Sequence, residues 1–380
     1  MRVLARIAAT TGLLALAVAA TLIPAAAAGE SDVVGHVYVN DNTAGANTVA
    51  GFERHADGTL TPLPGSPFSI GGAGTGVGTG SQGALQLSSD GRYLVAVDAG
   101  SNQVSVLRIK PDGRLMQAEG SPVSSGGNEP VSIAVHGDLV YVANAGDGGS
   151  NYTGFTLNAG GHLRPISGST FTLPDGSSPG DVLFNGDGTR LVGTRVGTSL
   201  IDSFSVSSNG LLIAAPGSPY VAQGAGPFGS EFRPTNPSQL FVSNAHDGAG
   251  NGTVSAFTDA PDGALTSIGA SPFADHQTAP CWVEISHDGS YLFTVNTASN
   301  SISRYAIADD GALTLLGSTP FDGTGAFDAR LAPDGSTLWL VEDGSNTIGG
   351  FSVSGGSLTE LPSSPTALPA GSAPFGIAVT

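Results

Sequence analysis

The chain has 380 residues, with 31 Asp or Glu against 13 Lys or Arg, and its formal net charge is −18. Such an acidic surface disfavours nucleic acid and anionic membranes as partners, because both repel negative charge. The single cysteine, Cys281, excludes an internal disulfide, so core packing and backbone pairing must hold the fold together.

The N-terminal segment has the pattern of a secretory signal. Arg2 and Arg6 precede an apolar run over 7–23, and a run of alanines ends at Ala28. A retained membrane anchor is the alternative, but the run is short for a spanning helix and no charge ends it. We therefore expect residues 1–28 to be a cleaved signal peptide and the protein to be secreted and extracellular. Its mature charge would be (13 − 2) − 31 = −20.

Two short motifs recur together seven times, at a spacing of roughly fifty residues, which is typical of a repeat architecture. The first is a turn followed by leucine, at Asp57–Leu60, Asp112–Leu115, Gly160–Leu163, Asn209–Leu212, Asp262–Leu265, Asp310–Leu313 and Gly355–Leu358. The second is a corner of small residues, most with proline, at Gly65–Phe68, Gly120–Pro122, Gly168–Phe171, Gly217–Tyr220, Ala270–Phe273, Ser318–Phe321 and Ser363–Pro365.

Each unit contains four short segments of strand character and no helical period. In the second unit the predicted strands are Gly83–Ser88, Tyr93–Asp98, Gln103–Ile109 and a fourth from Leu115, separated by Gly, Asp and Asn turns. Proline in the fourth strand indicates an unpaired outer edge. A four-stranded antiparallel unit of this kind is a propeller blade, so the sequence predicts an all-β, seven-bladed β-propeller.

The two ends of the repeat array predict how the ring closes. The first unit begins directly at its second strand, His36–Asn40, whereas Pro374–Val379 forms a first strand with no unit of its own. We expect this C-terminal strand to join blade 1, which would leave no sheet edge open between blades. Residues 31–380 would then be one propeller domain.

Departures from the repeat indicate candidate functional residues. Most blades carry Asn or Asp at the end of the second strand, and Arg195 breaks that series. The irregular residues of blades 4 to 6 are Arg195, Glu231, His246, His276, Cys281, Trp282 and Glu284. We expect these residues, apart from Cys281, to converge on one sector of the mouth, the face formed by the inter-blade connections and the loops between second and third strands. The alternative is that they are ordinary loop residues of an acidic surface.

Two glycine-containing motifs lack the structural context that their usual functions require. Gly78–Gly83 matches G-x-G-x-x-G, but no helix follows it, so nucleotide binding is not expected. Gly176–Gly180 matches G-x-S-x-G without the strand-to-helix turn of a nucleophile elbow. The spacings of zinc and calcium sites are also absent. We expect no required cofactor, with a metal ion held by channel carboxylates as the open alternative.

Taken together, the seven units, the turns before leucine and the second-strand pattern Leu139–Asn144 resemble the lactonase family of seven-bladed propellers. That family includes 6-phosphogluconolactonases and carboxymuconate-cyclase-like proteins and overlaps the YVTN-repeat propellers. Its blade-5 motif is G-P-R-H-x-x-F-x-P, followed by Asn-Glu. This chain keeps Gly226, Pro227, Phe232, Pro234 and Asn244. It has Phe228, Gly229 and Ala245 where the family has arginine, histidine and glutamate.

The resemblance implies a hydrolase or cyclase of a small lactone. The predicted export and a mouth with one obvious cation argue for an unphosphorylated one. His246 or His276 would be the base, Arg195 the oxyanion partner and Glu231 a further catalytic group. The predicted substrate-binding residues are Phe228, Asn244, Trp282 and Glu284. The alternative is a non-enzymatic binding or scaffold propeller that uses its acidic mouth, and aromatic side chains plugging that mouth would favour it. We expect a monomer that binds a small molecule or extracellular ligand, and neither nucleic acid nor, after signal cleavage, membrane.

Overall fold

A computed structural model describes residues 31–380, and the predicted signal peptide lies outside them. Residues 32–380 form one compact unit. Within the described residues, no helix is long and apolar enough to cross a membrane. The strands form seven antiparallel sheets, and the inner strands of successive sheets contact one another around a closed cycle. The predicted seven-bladed β-propeller is therefore confirmed.

In blades 2 to 7 the first strand in chain order is the innermost one, whereas blade 1 takes its inner strand from the end of the chain. Blade 1 contains β1 (Val33–Asn40), β2 (Thr48–His55), β3 (Leu60–Pro62), β4 (Phe68–Ser69) and the inner strand β34 (Ile377–Val379). Blade 2 contains β5 (Leu85–Leu87), β6 (Tyr93–Asp98), β7 (Gln103–Ile109), β8 (Leu115–Gln117) and β9 (Val123–Ser124). Blade 3 contains β10 (Pro130–His136), β11 (Leu139–Asn144), β12 (Asn151–Leu157), β13 (Leu163–Pro165) and β14 (Phe171–Thr172).

The other four blades follow the same order. Blade 4 contains β15 (Pro179–Phe184), β16 (Arg190–Arg195), β17 (Leu200–Val206), β18 (Leu212–Ala214) and β19 (Tyr220–Val221). Blade 5 contains β20 (Pro227–Arg233), β21 (Asn236–Asn244), β22 (Thr253–Asp259), β23 (Leu265–Ser267) and β24 (Phe273–Ala274). Blade 6 contains β25 (Pro280–Ile285), β26 (Tyr291–Asn296), β27 (Ser301–Ile307) and β28 (Leu313–Pro320). Blade 7 contains β29 (Ala326–Leu331), β30 (Thr337–Glu342), β31 (Thr347–Ser354), β32 (Ser357–Glu360) and β33 (Thr366–Ala367). Short 3₁₀ helices cover Ala99–Ser101 and Val196–Thr198.

The recurring turn before leucine joins the third strand to the outer strand. Gly113 has φ of 76°, a left-handed conformation that glycine adopts without a steric penalty. The carboxylate of Asp112 accepts a hydrogen bond from the backbone N–H of Arg114 at 3.2 Å, which closes the turn locally. The following Leu115 is 7% exposed and packs in the core. The sequence motif thus sets both the reversal of the chain and the first buried residue after it.

The serine of the recurring corner explains why the outer strand can break. In every blade except blade 6 the predicted fourth strand consists of two short pieces separated by this corner. The break would leave an N–H of the third strand without a ladder partner. The hydroxyl of Ser66 accepts that hydrogen bond from Gly51 at 2.8 Å, and Ser121 accepts the equivalent bond from Val106 at 2.8 Å.

The C-terminal strand closes the ring, as the sequence predicts. β34 pairs antiparallel with β1, with Val379 opposite Val37. Beyond the strand, the N–H of Thr380 donates to the carbonyl of His36 at 2.9 Å. The guanidinium of Arg54 donates to the carbonyl of Thr380 at 3.1 Å. Blade 1 therefore combines the first and last strands of the described chain.

Candidate functional site

One position of the inner strands carries charged side chains in three successive blades. Glu231, Glu284 and Arg330 lie opposite Phe241, Phe293 and Trp339 respectively. Each of these three partners lies three residues before the end of its second strand. The equivalent inner positions of the other blades are Val379, Gln86, Ala134 and Leu183. We call Glu231, Glu284 and Arg330 the charged layer.

Contacts within the charged layer leave one carboxylate unengaged. Arg330 Nη1 lies 3.0 Å from Glu284 Oε1, and the N–H of Leu331 donates to Glu284 Oε2 at 3.0 Å. Among residues 31–380, no hydrogen bond engages the carboxylate of Glu231 or the other N–H groups of Arg330. Burial raises the pKa of Glu231 well above its usual range, and the nearby charge of Glu284 adds to this effect.

Towards the mouth, a second polar layer holds the blades together. Asp181 accepts hydrogen bonds from the hydroxyl of Ser132 at 3.2 Å and the hydroxyl of Ser230 at 2.5 Å, which links blades 3, 4 and 5. Asp328 accepts from the N–H groups of Ile377 at 3.3 Å and Gly83 at 3.4 Å. Burial raises the pKa of each of these two aspartates to about 7. Their carboxylates are engaged by the protein itself.

The glycine-rich connection between blades 1 and 2 crosses the channel above this layer. We call residues 75–83 the sealing segment. The backbone N–H of Gln82 donates to Gly180 at 2.9 Å, and its side-chain amide donates to the carbonyl of Ser230 at 2.8 Å. The same amide accepts a hydrogen bond from the N–H of Val283 at 3.0 Å. Gln82 alone therefore joins the inner strands of blades 4, 5 and 6.

Ser81 and the aromatic residues of the mouth complete the closure. The hydroxyl of Ser81 donates to the carbonyl of Val131 at 2.6 Å, and Trp282 Nε1 donates to the carbonyl of Ser81 at 2.7 Å. The ring of Trp282 lies 5.6 Å from those of Phe228 and Phe327. Trp282 is 1% exposed. The predicted substrate-binding residues Phe228 and Trp282 are thus packed in the seal, which is the arrangement that favours a binding or scaffold role at the mouth.

The altered family motif matches this seal. A Cβ at Gly229, where the family has histidine, would lie 2.1 Å from the side-chain oxygen of Gln82. A Cβ at Gly80 would lie 2.9 Å from the ring of Phe228, which stands where the family has arginine. Any larger residue at 229 would collide with the amide that spans the channel. The backbone carbonyl of Cys281, 2.6 Å from the same Cβ position, also requires glycine at 229.

Solvent exposure differs on the two sides of the seal. Gln82 and Asp181 are each 2% exposed, and Asp328 is fully buried. Deeper in the channel, the side chain of Arg330 is 25% exposed and Glu231 is partly exposed. Solvent therefore reaches the charged layer from the face of the turns between first and second strands, which is opposite the mouth.

Arg195 lies in a buried ion pair. Its Nε and Nη2 atoms contact the two carboxylate oxygens of Asp202 at 2.6 and 2.5 Å, and the hydroxyl of Tyr152 also donates to Asp202 at 3.1 Å. In blade 5, the predicted substrate-binding residue Asn244 makes the equivalent contact with Ser255 at 2.9 Å. The charge of Arg195 is thus balanced by Asp202, seven positions later. This ion pair gives Arg195 a structural role within blade 4.

The two candidate histidines lie in exposed loops. His246 follows β21, and its ring lies against Gly226, where a Cβ would come within 2.5 Å of it. His276 lies in the connection from β24 to β25, with φ of 59°. In residues 31–380, no hydrogen bond or ion pair joins either imidazole to Arg195, Glu231 or the other imidazole. The catalytic roles of both histidines stay predictions.

The predicted set therefore divides into groups. The structure brings Glu231 and Glu284 together in the charged layer, and Phe228 and Trp282 in the seal, whereas Arg195 and Asn244 are held within their blades. Sequence reasoning missed Arg330 and Gln82. Arg330 could have been found, because it departs from the small or apolar first strands just as Glu231 and Glu284 do. Among the residues that the structure describes, no group of three or more His, Cys, Asp or Glu side chains could hold a metal ion.

Comparisons with known proteins agree with this architecture. Residues 36–177 and 123–367 match the family model described as lactonase, seven-bladed beta-propeller. A candidate 6-phosphogluconolactonase from Bacteroides uniformis has a similar structure, with 21% identity, a TM-score of 0.74, and coverage of 91% of this chain and 99% of that one. The periplasmic gluconolactonase of Pseudomonas aeruginosa has 19% identity and a TM-score of 0.71, with the same coverage. No functionally curated protein matches in sequence. The two family matches together span most of the chain, which therefore belongs to the lactonase family of seven-bladed β-propellers.

Proposed function

We propose that this protein is a secreted, monomeric hydrolase of a small unphosphorylated lactone, and that the charged layer is its active site. The observation that carries the proposal is the unengaged carboxylate of Glu231 in the same layer as the unengaged N–H groups of Arg330. Both side chains are partly exposed, so that a small molecule entering opposite the mouth can reach them. Membership of the lactonase family supports this class of reaction.

The two side chains suit the two requirements of lactone hydrolysis. Glu231 takes a proton from water as the water oxygen attacks the lactone carbonyl carbon. The N–H groups of Arg330 donate hydrogen bonds to the oxyanion that forms on the carbonyl oxygen. When the ring C–O bond breaks, the proton on Glu231 passes to the leaving alkoxide. The product is a hydroxy acid, and Glu231 returns to its carboxylate form.

The charge of the layer bears on the substrate. Glu231 and Glu284 are two acids beside the single cation Arg330, and Glu284 already contacts that cation. A phosphorylated lactone would bring further negative charge into a poorly solvated site, at a substantial electrostatic cost. A neutral lactone avoids this repulsion. The similarity to a periplasmic gluconolactonase supports an unphosphorylated sugar lactone as the first compound to test.

The test is proton release at constant pH with gluconolactone and with aliphatic, aromatic and acyl-homoserine lactones. Glu231→Gln preserves the shape of the side chain and should lower kcat by roughly 100-fold or more, the usual contribution of a general base. Glu119→Gln, at an exposed site on blade 2, is the matched control and should leave kcat unchanged. Equal rates in Glu231→Gln and the parent protein would refute the assignment.

The catalytic roles predicted for His246, His276 and Arg195 are measured in the same assay. His246→Ala, His276→Ala and Arg195→Ala each remove one proposed group. A large loss of kcat in either histidine variant, with Glu231→Gln active, would move the active site to the mouth. Because Arg195 pairs with buried Asp202, circular dichroism must accompany the Arg195 variant to separate lost activity from lost folding.

The second candidate function is a non-enzymatic binding or scaffold propeller. The sealed mouth favours it, because Phe228 and Trp282 pack against residues of the protein itself. Under this hypothesis no lactone in the panel is hydrolysed above the buffer rate, and Glu231→Gln behaves like the parent protein. Hydrolysis that depends on Glu231 would exclude it.

A further inference from the structure

The cations of this acidic chain are concentrated on blade 2. Four of its 13 Lys and Arg residues, including Lys110, lie between positions 92 and 114. Arg92, Arg108 and Lys110 line a surface groove of about 550 Å³, together with Gly91, Ile109, Pro111 and Met116. No acidic residue lines this groove. The groove is thus an exception to the chain's net charge of −18.

The backbone holds these cations close together. The N–H of Ile109 donates to the carbonyl of Arg92 at 2.9 Å, which ties the start of β6 to the end of β7. Lys110 begins a tight turn, because its N–H donates to the carbonyl of Arg114 at 2.9 Å. Arg108 lies opposite Tyr93 on one side and the exposed Met116 on the other. The groove is therefore built on paired strands rather than on a long loop.

Nearby acids neutralise only one of the three cations that line the groove. Asp90 contacts Arg92 at 2.6 Å, and Asp112 contacts Arg114 at 2.7 Å, so each acid already faces the arginine two positions after it. Among residues 31–380, no hydrogen bond or ion pair engages the side chain of Arg108 or Lys110. Two unpaired cations beside a third make a local excess of positive charge on a protein that repels anions elsewhere.

We propose that this groove binds a multivalent phosphate anion. Arginine offers paired N–H donors to phosphate oxygens, and lysine adds a compact point charge, so that the mixed set suits an anion with several charged groups in a row. A single phosphate would engage one cation at a time and bind weakly. The groove lies on blade 2, away from the charged layer of blades 5 to 7, and its ligand is independent of lactone hydrolysis.

Isothermal titration calorimetry with inorganic tripolyphosphate at low salt tests the proposal, with monophosphate as the valency control. We expect one tripolyphosphate per chain, binding that weakens as salt screens the charges, and little binding of monophosphate. The double variant Arg108→Gln/Lys110→Gln should lower the affinity at least tenfold. Arg164→Gln, at an exposed arginine of blade 3, is the matched control and should bind like the parent protein.

Three results would each contradict the proposal in a different way. Absence of tripolyphosphate binding to the parent protein at low salt would overturn the proposal. Unchanged affinity in the double variant would place the anion elsewhere, and an equal loss in Arg164→Gln would show only general charge attraction. None of these results bears on the proposed lactone hydrolysis, because Arg108 and Lys110 lie outside the charged layer.

Discussion

Removing the side chain of Gln82 tests whether the sealing segment is an integral part of the fold. Gln82→Ala deletes the amide that donates to Ser230 and accepts from Val283, at 2.8 and 3.0 Å. Ser230 and Val283 are fully buried, so the carbonyl of Ser230 and the N–H of Val283 each lose their hydrogen-bond partner. An orphaned buried polar group costs about 1–3 kcal/mol, which gives about 2–6 kcal/mol for the pair. Because the entropy of unfolding grows with domain size, this loss of unfolding free energy corresponds here to a fall in Tm of roughly 3–8 °C.

Thermal unfolding followed by circular dichroism and by tryptophan fluorescence measures this effect. Trp282, one of the chain's two tryptophans, contacts the sealing segment directly, because its indole N–H donates to the carbonyl of Ser81. Gln86→Ala is the matched control. Gln86 is a partly buried glutamine four residues later, and in the described part of the chain no hydrogen bond engages its side chain. Equal Tm values for the two variants would refute the view that Gln82 joins the blades.

Three further predictions concern the buried charges. Arg195→Ala should cost about 3–5 kcal/mol in the free energy of unfolding, because it strands Asp202 as a buried unpaired charge. The double variant Arg195→Asn/Asp202→Ser recreates the pair found in blade 5 and should recover most of that loss in urea unfolding; no recovery would contradict the pairing argument. Asp181 and Asp328 have pKa values raised to about 7 in the folded state, so the folded protein holds protons that the unfolded chain releases. Stability should therefore fall as pH rises from about 4 to about 7 and then level off, and Asp181→Asn should reduce this slope; a Tm that rises over this range would contradict it. If Glu231 is the base, kcat/KM should increase with pH through a pKa above the usual carboxyl range, and a pH-independent rate would argue against it.

The sequence predicts the architecture well because the fold depends on local, repeated features. The turns before leucine, the serine corners and the unpaired terminal strand each have a short-range cause. They appear where expected, except that β28 of blade 6 continues unbroken through its corner. The sequence does not predict the split of the outer strand. That split depends on a hydroxyl such as that of Ser66 replacing one ladder acceptor, and a repeated motif does not reveal which atom that is.

The candidate site is less predictable because it depends on long-range contacts. Gln82 reaches blades that lie about 100 to 200 positions further along the chain. The repeat pattern contains no information on such contacts. Glu231 and Glu284 stand out as irregular in the sequence, but they lie below the seal rather than at the predicted position in the mouth. Arg195 also stands out, but its role depends on Asp202, a second departure that compensates for the first.

The way in which the ring closes also orders its assembly. The strand that completes blade 1 is synthesised after every other strand of the propeller, while its partner β1 is among the first to be made. Until β34 is available, the inner edge of β1 has no partner, and the contacts between blades 7, 1 and 2 cannot mature. Closure of the ring is thus coupled to the arrival of the last strand. An affinity tag placed directly after Thr380 would lie beside the strand that locks the ring, next to His36.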